Sequence, residues 1–176
     1  YNISTIVTFR NIFDGIISYD AMLKNFNPDP SMQWSSKVPI NYAELDFEER
    51  IDLVSSNYAI WCIDFYLSWK RVEQAGFKFA WVDYDAYLSK SSGDKLKLCS
   101  LLINYLRPSK ACEEKLYDFI VGEKVSREDS RLRSGTSGEG VNRIPQEVKL
   151  RLIEYAKKFH KELKESDLKM IFGGEY

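Results

Sequence analysis

The sequence predicts an α/β fold in which a parallel sheet is flanked by helices. Two stretches rich in β-branched and aromatic residues, 3–9 and 77–82, have the composition of buried strands. Between and after them, apolar residues recur at three- and four-residue steps, which is typical of amphipathic helices. Strands that alternate with helices favour a parallel sheet, because parallel strands are usually joined through a helix.

The first strand leads directly into a helix. Asn11 is well placed as the N-cap, and Asp14 three residues later completes a capping-box-like start. We expect this helix to end near Asn25. The residues expected on its buried face are Ile12, Ile16, Tyr19 and Leu23.

The middle of the chain is predicted to hold a proline-containing loop, a long helix and the second strand. The loop spans 26–43, the helix runs from about Leu45 to Gln74, and Gly76 ends it before the strand at 77–82. The apolar stripe of the long helix, expected to face the core, is Phe47, Ile51, Val54, Tyr58, Trp61, Phe65 and Val72.

Three further helices are predicted in the last part of the chain. Two short ones, 94–106 and 111–121, are separated by Pro108. Residues 123–142 are rich in Arg, Ser and Gly and show no helical period, and Pro145 suits the first position of the last helix. Its expected buried residues are Val148, Leu152, Tyr155, Phe159 and Leu163.

Composition indicates one globular domain over residues 1–176. A formal net charge of -1 argues against a nucleic-acid partner and a polybasic membrane anchor. No uncharged apolar run approaches the roughly 20 residues of a membrane span. Cys62, Cys99 and Cys112 form no CxxC pair, which favours buried thiols in a cytoplasmic protein and no metal site. Because the chain opens at Tyr1 inside a strand and shows two clear strands, we expect a domain truncated at its N-terminus.

The first candidate binding segment is residues 8–18, Thr-Phe-Arg-Asn-Ile-Phe-Asp-Gly-Ile-Ile-Ser. It places Arg10 at the carboxyl end of a strand and Ser18 one turn beyond Asp14 on the same side of the helix. A guanidinium group beside a helix N-terminus suits a phosphate group, and the carboxyl edge of a parallel sheet is where α/β proteins bind ligands. The alternative is an ordinary strand–helix unit with a solvated arginine.

The second candidate segment is residues 131–143, Arg-Leu-Arg-Ser-Gly-Thr-Ser-Gly-Glu-Gly-Val-Asn-Arg. Its glycines allow the backbone to approach a ligand closely, and its arginines make it locally basic. A loop of this kind can close over a polyanion. The alternative is a mobile, solvated loop.

Together the two segments resemble the cytosolic-type sulfotransferases, which take a sulfuryl group from 3'-phosphoadenosine-5'-phosphosulfate. In that family a strand ending in Arg-Asn-Pro precedes an Asp and a Ser that bind the 3'-phosphate of the donor. Residues 8–18 are similar, which implies that Arg10 and Ser18 are cofactor-binding residues.

The closing loop of the family reads Arg-Lys-Gly-x-x-Gly, and residues 133–138 are similar to it. The resemblance implies that Arg133, Ser134 and Gly135 belong to the cofactor-binding set, with the Arg133 side chain and the Gly135 backbone facing the 3'-phosphate. The long helix and the strand ending at Asp85 also resemble family elements, so the resemblance covers nearly the whole chain.

This chain departs from the family pattern at three positions. Ile12 stands in place of the motif proline, Ser134 in place of the basic loop residue, and Gly140 where a tryptophan is expected. A lysine-bearing phosphate loop does not follow either strand. The single histidine, His160, lies downstream of both motifs, whereas the catalytic histidine of the family lies upstream of the first one. No residue of the chain is therefore assigned as catalytic, and we expect His160 to be a solvated or partly buried helix residue.

The resemblance implies a sulfotransferase of the P-loop nucleotide-binding fold, with this chain carrying the 3'-phosphate-binding half and inactive by itself. The acceptor would be a hydroxyl or amine on a small molecule or carbohydrate, no metal is required, and a homodimer is possible. Two alternatives stay open: a catalytically inactive nucleotide-binding module, and a small-molecule kinase of the same fold. Asp83 and Asp85 could pass for an acid–base pair, but a structural role at the strand end is favoured.

Overall fold

In a computed structural model the chain is predominantly helical. The structure describes residues 4–25, 37–88, 91–122, 138–161 and 163–174. Helices account for 73% of these residues, and two strands form their sheet. The predicted fold class, a parallel sheet flanked by helices, is therefore wrong. The strand pair itself is correctly predicted and parallel, but a layered sheet needs further strands, which the described ranges do not contain.

Two strands and nine α-helices follow one another in the described residues. Their bounds are β1 (Ile6–Phe9), α1 (Ile12–Asn25), α2 (Phe47–Val54), α3 (Ile60–Gln74), β2 (Ala80–Asp83), α4 (Tyr84–Leu88), α5 (Ser92–Leu106), α6 (Lys110–Val121), α7 (Glu139–Arg143), α8 (Gln146–Phe159) and α9 (Glu165–Phe172). A 3-10 turn spans Tyr42–Glu44, and a π-helical turn at Ser55–Ala59 joins α2 to α3.

The chain divides into two compact units. The sheet unit comprises Tyr1–Arg10 and Trp69–Ser137, and the helical unit comprises Asn11–Ser68 and Gly138–Tyr176. Each unit has its own interior.

In the sheet unit, β1 and β2 pair in parallel with Ile6 opposite Ala80. The Tyr105 hydroxyl on α5 accepts a hydrogen bond from the Thr5 amide (3.1 Å) and donates one to the Lys78 carbonyl (3.2 Å). Both strands are thereby tied to α5 at their amino ends. The buried apolar cluster of this unit consists of Val82, Leu98, Cys99, Leu102 and Ile120.

In the helical unit, a buried polar network joins three elements. The Arg50 side chain on α2 donates from Nε to Asp20 Oδ1 on α1 (2.7 Å) and from Nη1 to the Leu45 carbonyl (2.6 Å). The Tyr42 hydroxyl donates to the same Asp20 oxygen at 2.8 Å. Burial raises the pKa of Tyr42, and the hydrogen bond to Asp20 adds to this, so the hydroxyl keeps the proton that it donates. The network fixes the 3-10 turn and α2 against α1.

The π-helical turn shifts the buried face of the long helical segment. A π turn carries one residue more than an α turn, and one extra residue rotates all later turns of the helix by about 100°. After the turn, Trp61 and Phe65 are 61% and 42% exposed. The prediction of one core stripe running on through them is therefore wrong. The residues buried on α3 are Ile63, Tyr66 and Leu67.

Several other predicted bounds hold, and three helices were missed. The helices predicted at 94–106 and 111–121 are confirmed as α5 and α6, and α8 begins directly after Pro145. The short α4 directly follows β2 and was not predicted. The short α7 lies in a stretch predicted to be irregular, and α9 was not predicted. None of the helices in the described ranges is long and apolar enough to cross a membrane.

The three cysteines differ in burial. Cys99 is buried and Cys62 is partly buried, but Cys112 on α6 is exposed, so the prediction of buried thiols is wrong for Cys112. Burial raises the pKa of the Cys62 thiol to about 11, although a hydrogen bond from Tyr58 partly opposes this. Burial also raises the pKa of Cys99.

These differences predict an order of alkylation by iodoacetamide at pH 8. Cys112 should react first, because it is exposed. Cys62 should react slowly, because with a pKa of about 11 roughly one thiol in a thousand is ionised at that pH. Its rate should rise about tenfold per pH unit. Peptide mass spectrometry against time measures the order, and equal rates at Cys62 and Cys112 would contradict it.

The buried network predicts a second outcome. Replacing Arg50 by Met leaves the Asp20 carboxylate buried without its cation, which should lower the free energy of unfolding by about 3–5 kcal/mol. A matched control is Arg151→Met, which removes the surface pair of Arg151 with Asp52 and should cost no more than about 1 kcal/mol. Urea denaturation of both variants measures the difference.

Candidate functional site

Arg10 lies at the carboxyl end of the strand pair, as predicted. It follows β1 directly, and Asp83, the last residue of β2, is opposite Phe9. The Arg10 Nε donates to Asp85 Oδ1 at 3.2 Å, and its guanidinium carbon lies 5.4 Å from the centre of the Tyr84 ring. Arg10 is thus held by residues that leave the same end of the neighbouring strand.

The partner of Arg10 is a carboxylate, which competes with any anionic ligand. The Arg10 and Asp85 side chains are 19% and 15% exposed, so solvent screens their ion pair only partly. The contact uses Nε, and a guanidinium carries five N–H donors, so the pair does not exhaust its capacity. Asp83 Oδ1 accepts from the Asp85 amide at 2.9 Å. Both aspartates therefore make structural contacts at the carboxyl end of β2.

Ser18 lies on the exposed side of α1 in the helical unit. The start of this helix is capped as predicted, since Asn11 Oδ1 accepts from the Phe13 amide at 2.9 Å. The first turn is enclosed, with Ile12, Phe13 and Asp14 each no more than 4% exposed. Within α1, the accessible part of the first motif is therefore the turn that carries Ser18.

Asp14 does not complete a capping box but binds the start of α7. Its Oδ2 accepts from the Gly138 amide at 2.7 Å and its Oδ1 accepts from the Gly140 amide at 2.6 Å. Short hydrogen bonds to an ionised carboxylate are the stronger kind. They satisfy a carboxylate that is 3% exposed, and they cap a five-residue helix from outside its own sequence.

Gly140 is the position where the two segments come closest. A Cβ at Gly140 would lie 2.1 Å from the Phe13 carbonyl carbon and 2.4 Å from the Asp14 amide nitrogen, so no other residue fits without backbone movement. Gly138 differs, because it has a φ of +83° and no atom within 4 Å of such a Cβ. We name the contact of α1 with Gly138 and Gly140 the Asp14 junction.

The remaining predicted binding residues, Arg133, Ser134 and Gly135, lie outside the described residues. The described part of the glycine segment begins at Gly138 and is held at the Asp14 junction. The amide N–H groups of Gly138 and Gly140 donate to the Asp14 carboxylate and hold this described part of the segment against α1. A ligand anion would have to use other donors.

His160 is a structural residue at the end of α8. It is 8% exposed, so it is buried and not solvated, and its Nε2 lies 2.9 Å from Asp64 Oδ1 on α3. The Tyr155 hydroxyl donates to the same carboxylate at 3.1 Å. These contacts join α8 to α3.

Sequence reasoning missed the partners at both ends of the first motif. The sequence did indicate that Arg10 and Asp85 lie at the same edge of the sheet, because both follow strands predicted to be parallel. The Asp14 junction had a weaker one, namely two glycines separated by one residue in a stretch without helical period.

Among the described residues, no group of three or more His, Cys, Asp or Glu side chains could hold a metal ion. Comparison with protein-family models, curated proteins and solved structures gives no match.

The Asp14 junction predicts a large difference between two glycine substitutions. Gly140→Ala should lower the free energy of unfolding by about 3–5 kcal/mol, because it forces backbone apart and breaks a buried hydrogen bond. Gly138→Ala, the matched control, should cost about 1–2 kcal/mol, because only its left-handed backbone is strained. Chemical denaturation measures both, and similar losses would contradict the close approach at Gly140.

Proposed function

We propose that this chain binds the 3'-phosphate of 3'-phosphoadenosine-5'-phosphosulfate as part of a sulfotransferase-like protein. The observation that supports this most is the Asp14 junction. It joins the end of the glycine segment to the first turn of α1, and these are the two segments that resemble the donor-binding motifs. Segments that serve one phosphate group have to be held together, and the junction does this at atomic contact.

The proposed donors are chemically suited to a phosphate group. Arginine offers a planar set of N–H donors, serine a hydroxyl, and a glycine backbone an amide that can approach closely. The proposal assigns these roles to Arg10, Ser18, Arg133 and Gly135, with Ser134 between the last two. Asp14 has a positioning role in it and does not touch the phosphate.

The proposed reaction is an in-line transfer. The acceptor oxygen or nitrogen forms a bond to sulfur while the bond from sulfur to the 5'-phosphate oxygen breaks, and the acceptor loses a proton to a base. The products are the sulfated acceptor and adenosine 3',5'-bisphosphate. The single histidine of this chain is bonded to Asp64, and we assign it no part in that step.

That same observation favours a second candidate, a nucleotide-binding module without catalytic activity. It would use the same 3'-phosphate contacts and lack turnover. Binding of adenosine 3',5'-bisphosphate is common to both candidates, whereas formation of a sulfated product separates them.

The proposal predicts that adenosine 3',5'-bisphosphate binds more tightly than adenosine 5'-phosphate in isothermal titration calorimetry. Arg10→Ala should weaken binding of the bisphosphate by about 1.5–3 kcal/mol, because a charge-assisted contact is lost. Ser18→Ala should weaken it by about 0.5–1.5 kcal/mol without lowering stability, since Ser18 is exposed.

Asp85→Asn is the matched control for Arg10→Ala. It removes the charge that pairs with the guanidinium while leaving Arg10 in place, so binding of the bisphosphate should be unchanged or tighter. The assignment of Arg10 to the 3'-phosphate would be contradicted if the two nucleotides bound with equal affinity. It would also be contradicted if Arg10→Ala and Asp85→Asn weakened binding of the bisphosphate equally.

A further inference from the structure

One row of exposed side chains runs along α2, the π-helical turn and α3. Its members recur at steps of three or four, with one step of five at the π turn, as the extra residue there requires. The row is Glu48, Asp52, Ser56, Trp61, Phe65 and Ser68. It is acidic at its start and aromatic near its end.

The two aromatic side chains near the end of this row are large and exposed to solvent. Trp61 and Phe65 are 61% and 42% exposed, and their rings stack with centres 5.3 Å apart. Phe159, at the end of α8, is 61% exposed. Asp64 on α3 binds His160, the residue after Phe159, so the three aromatic side chains belong to adjoining turns of the helical unit.

The surface around these aromatic residues is divided by charge. α8 lies beside α2 and α3, because Arg151 pairs with Asp52 near its middle and His160 with Asp64 at its end. Exposed acids, Glu44 and Glu48, precede or open α2. The exposed bases Lys158 and Lys161 lie at the opposite end, where the Lys158 Nζ is 5.6 Å from the Phe159 ring centre. Glu154 is an exposed acid on α8 between these ends, and Lys157 an exposed base.

We propose that this surface is the contact between two copies of the chain related by a two-fold axis. A two-fold axis reverses the direction of the row in the second copy, so the acidic end of one copy faces the basic end of the other at both sides of the contact. The aromatic residues then lie in the interior of the contact and the charges at its rim, which is the usual arrangement of a protein interface. A surface carrying both signs of charge suits this partner better than a uniformly anionic one such as a nucleic acid or an acidic membrane. The proposal does not depend on the proposed nucleotide site.

Sedimentation velocity over a range of concentrations tests the contact. We expect the chain of 176 residues to form a dimer. Trp61→Ser should raise the dissociation constant of this dimer about 30-fold, as expected for a central aromatic residue of an interface. Phe119→Ser is the matched control, because Phe119 is 60% exposed in the sheet unit and should leave the constant unchanged. A chain that stays monomeric at all concentrations, or that responds equally to both substitutions, overturns the proposal.

Charge exchange tests the two-fold geometry. Lys158→Glu with Lys161→Glu should weaken the dimer at least about tenfold, and so should Glu44→Lys with Glu48→Lys, because each pair places like charges opposite one another. All four substitutions in one chain should restore it. A gain in folding stability cannot explain such a recovery of dimer affinity, because both double substitutions place charges unfavourably relative to the helix dipoles. If the fourfold variant is folded but does not regain dimer affinity, the two-fold arrangement is overturned. A monomer that instead pellets with phosphatidylserine vesicles also overturns it.

Discussion

The Asp14 carboxylate organises the helical unit because it must be satisfied where it lies. It is almost fully buried, and its two oxygens accept from amides 124 and 126 residues further along the chain. An unpaired carboxylate at this depth would be strongly unfavourable, and a five-residue helix such as α7 has little stability by itself. Each therefore requires the other. Gly140 makes their contact possible, since any larger residue would occupy the space of the Phe13 backbone.

Local patterns predicted much of the local structure, although three helices and the π-helical turn were missed. The larger failures concern relations between distant parts of the chain. β1, the Asn11 cap and the bounds of α5 and α6 follow from composition and spacing within a few residues. The fold class required an extrapolation from two strands to a layered sheet, which no local pattern supports. The Asp14 junction was missed for a similar reason. A carboxylate three residues after an N-cap has an obvious local partner, and only the folded chain shows that the partner is elsewhere.

The two ends of the first motif illustrate how much of the candidate site the sequence determines. The placement of Arg10 follows from strand direction, because residues after parallel strands emerge at the same edge. The sequence does not say that Asp85 reaches the guanidinium, since this depends on the short helix α4 beginning directly at the end of β2. Ion pairing of this kind gives an arginine a defined orientation. It also means that an anion must offer more than Asp85 does, for example a higher charge or a second hydrogen-bonding partner.

The extra residue of the π-helical turn has a consequence for how this chain tolerates change. Ser55, its first residue, is fully enclosed, and its hydroxyl has no hydrogen-bonding partner among the described residues. Substitutions there alter one side chain, whereas loss of one residue would restore a regular spiral and turn every later position of α3 by about 100°. Ile63 and Leu67 would leave the interior together. In the π-helical turn, the number of residues is therefore more constrained than their types. Homologous chains should keep the same number of residues there even where the residue types differ.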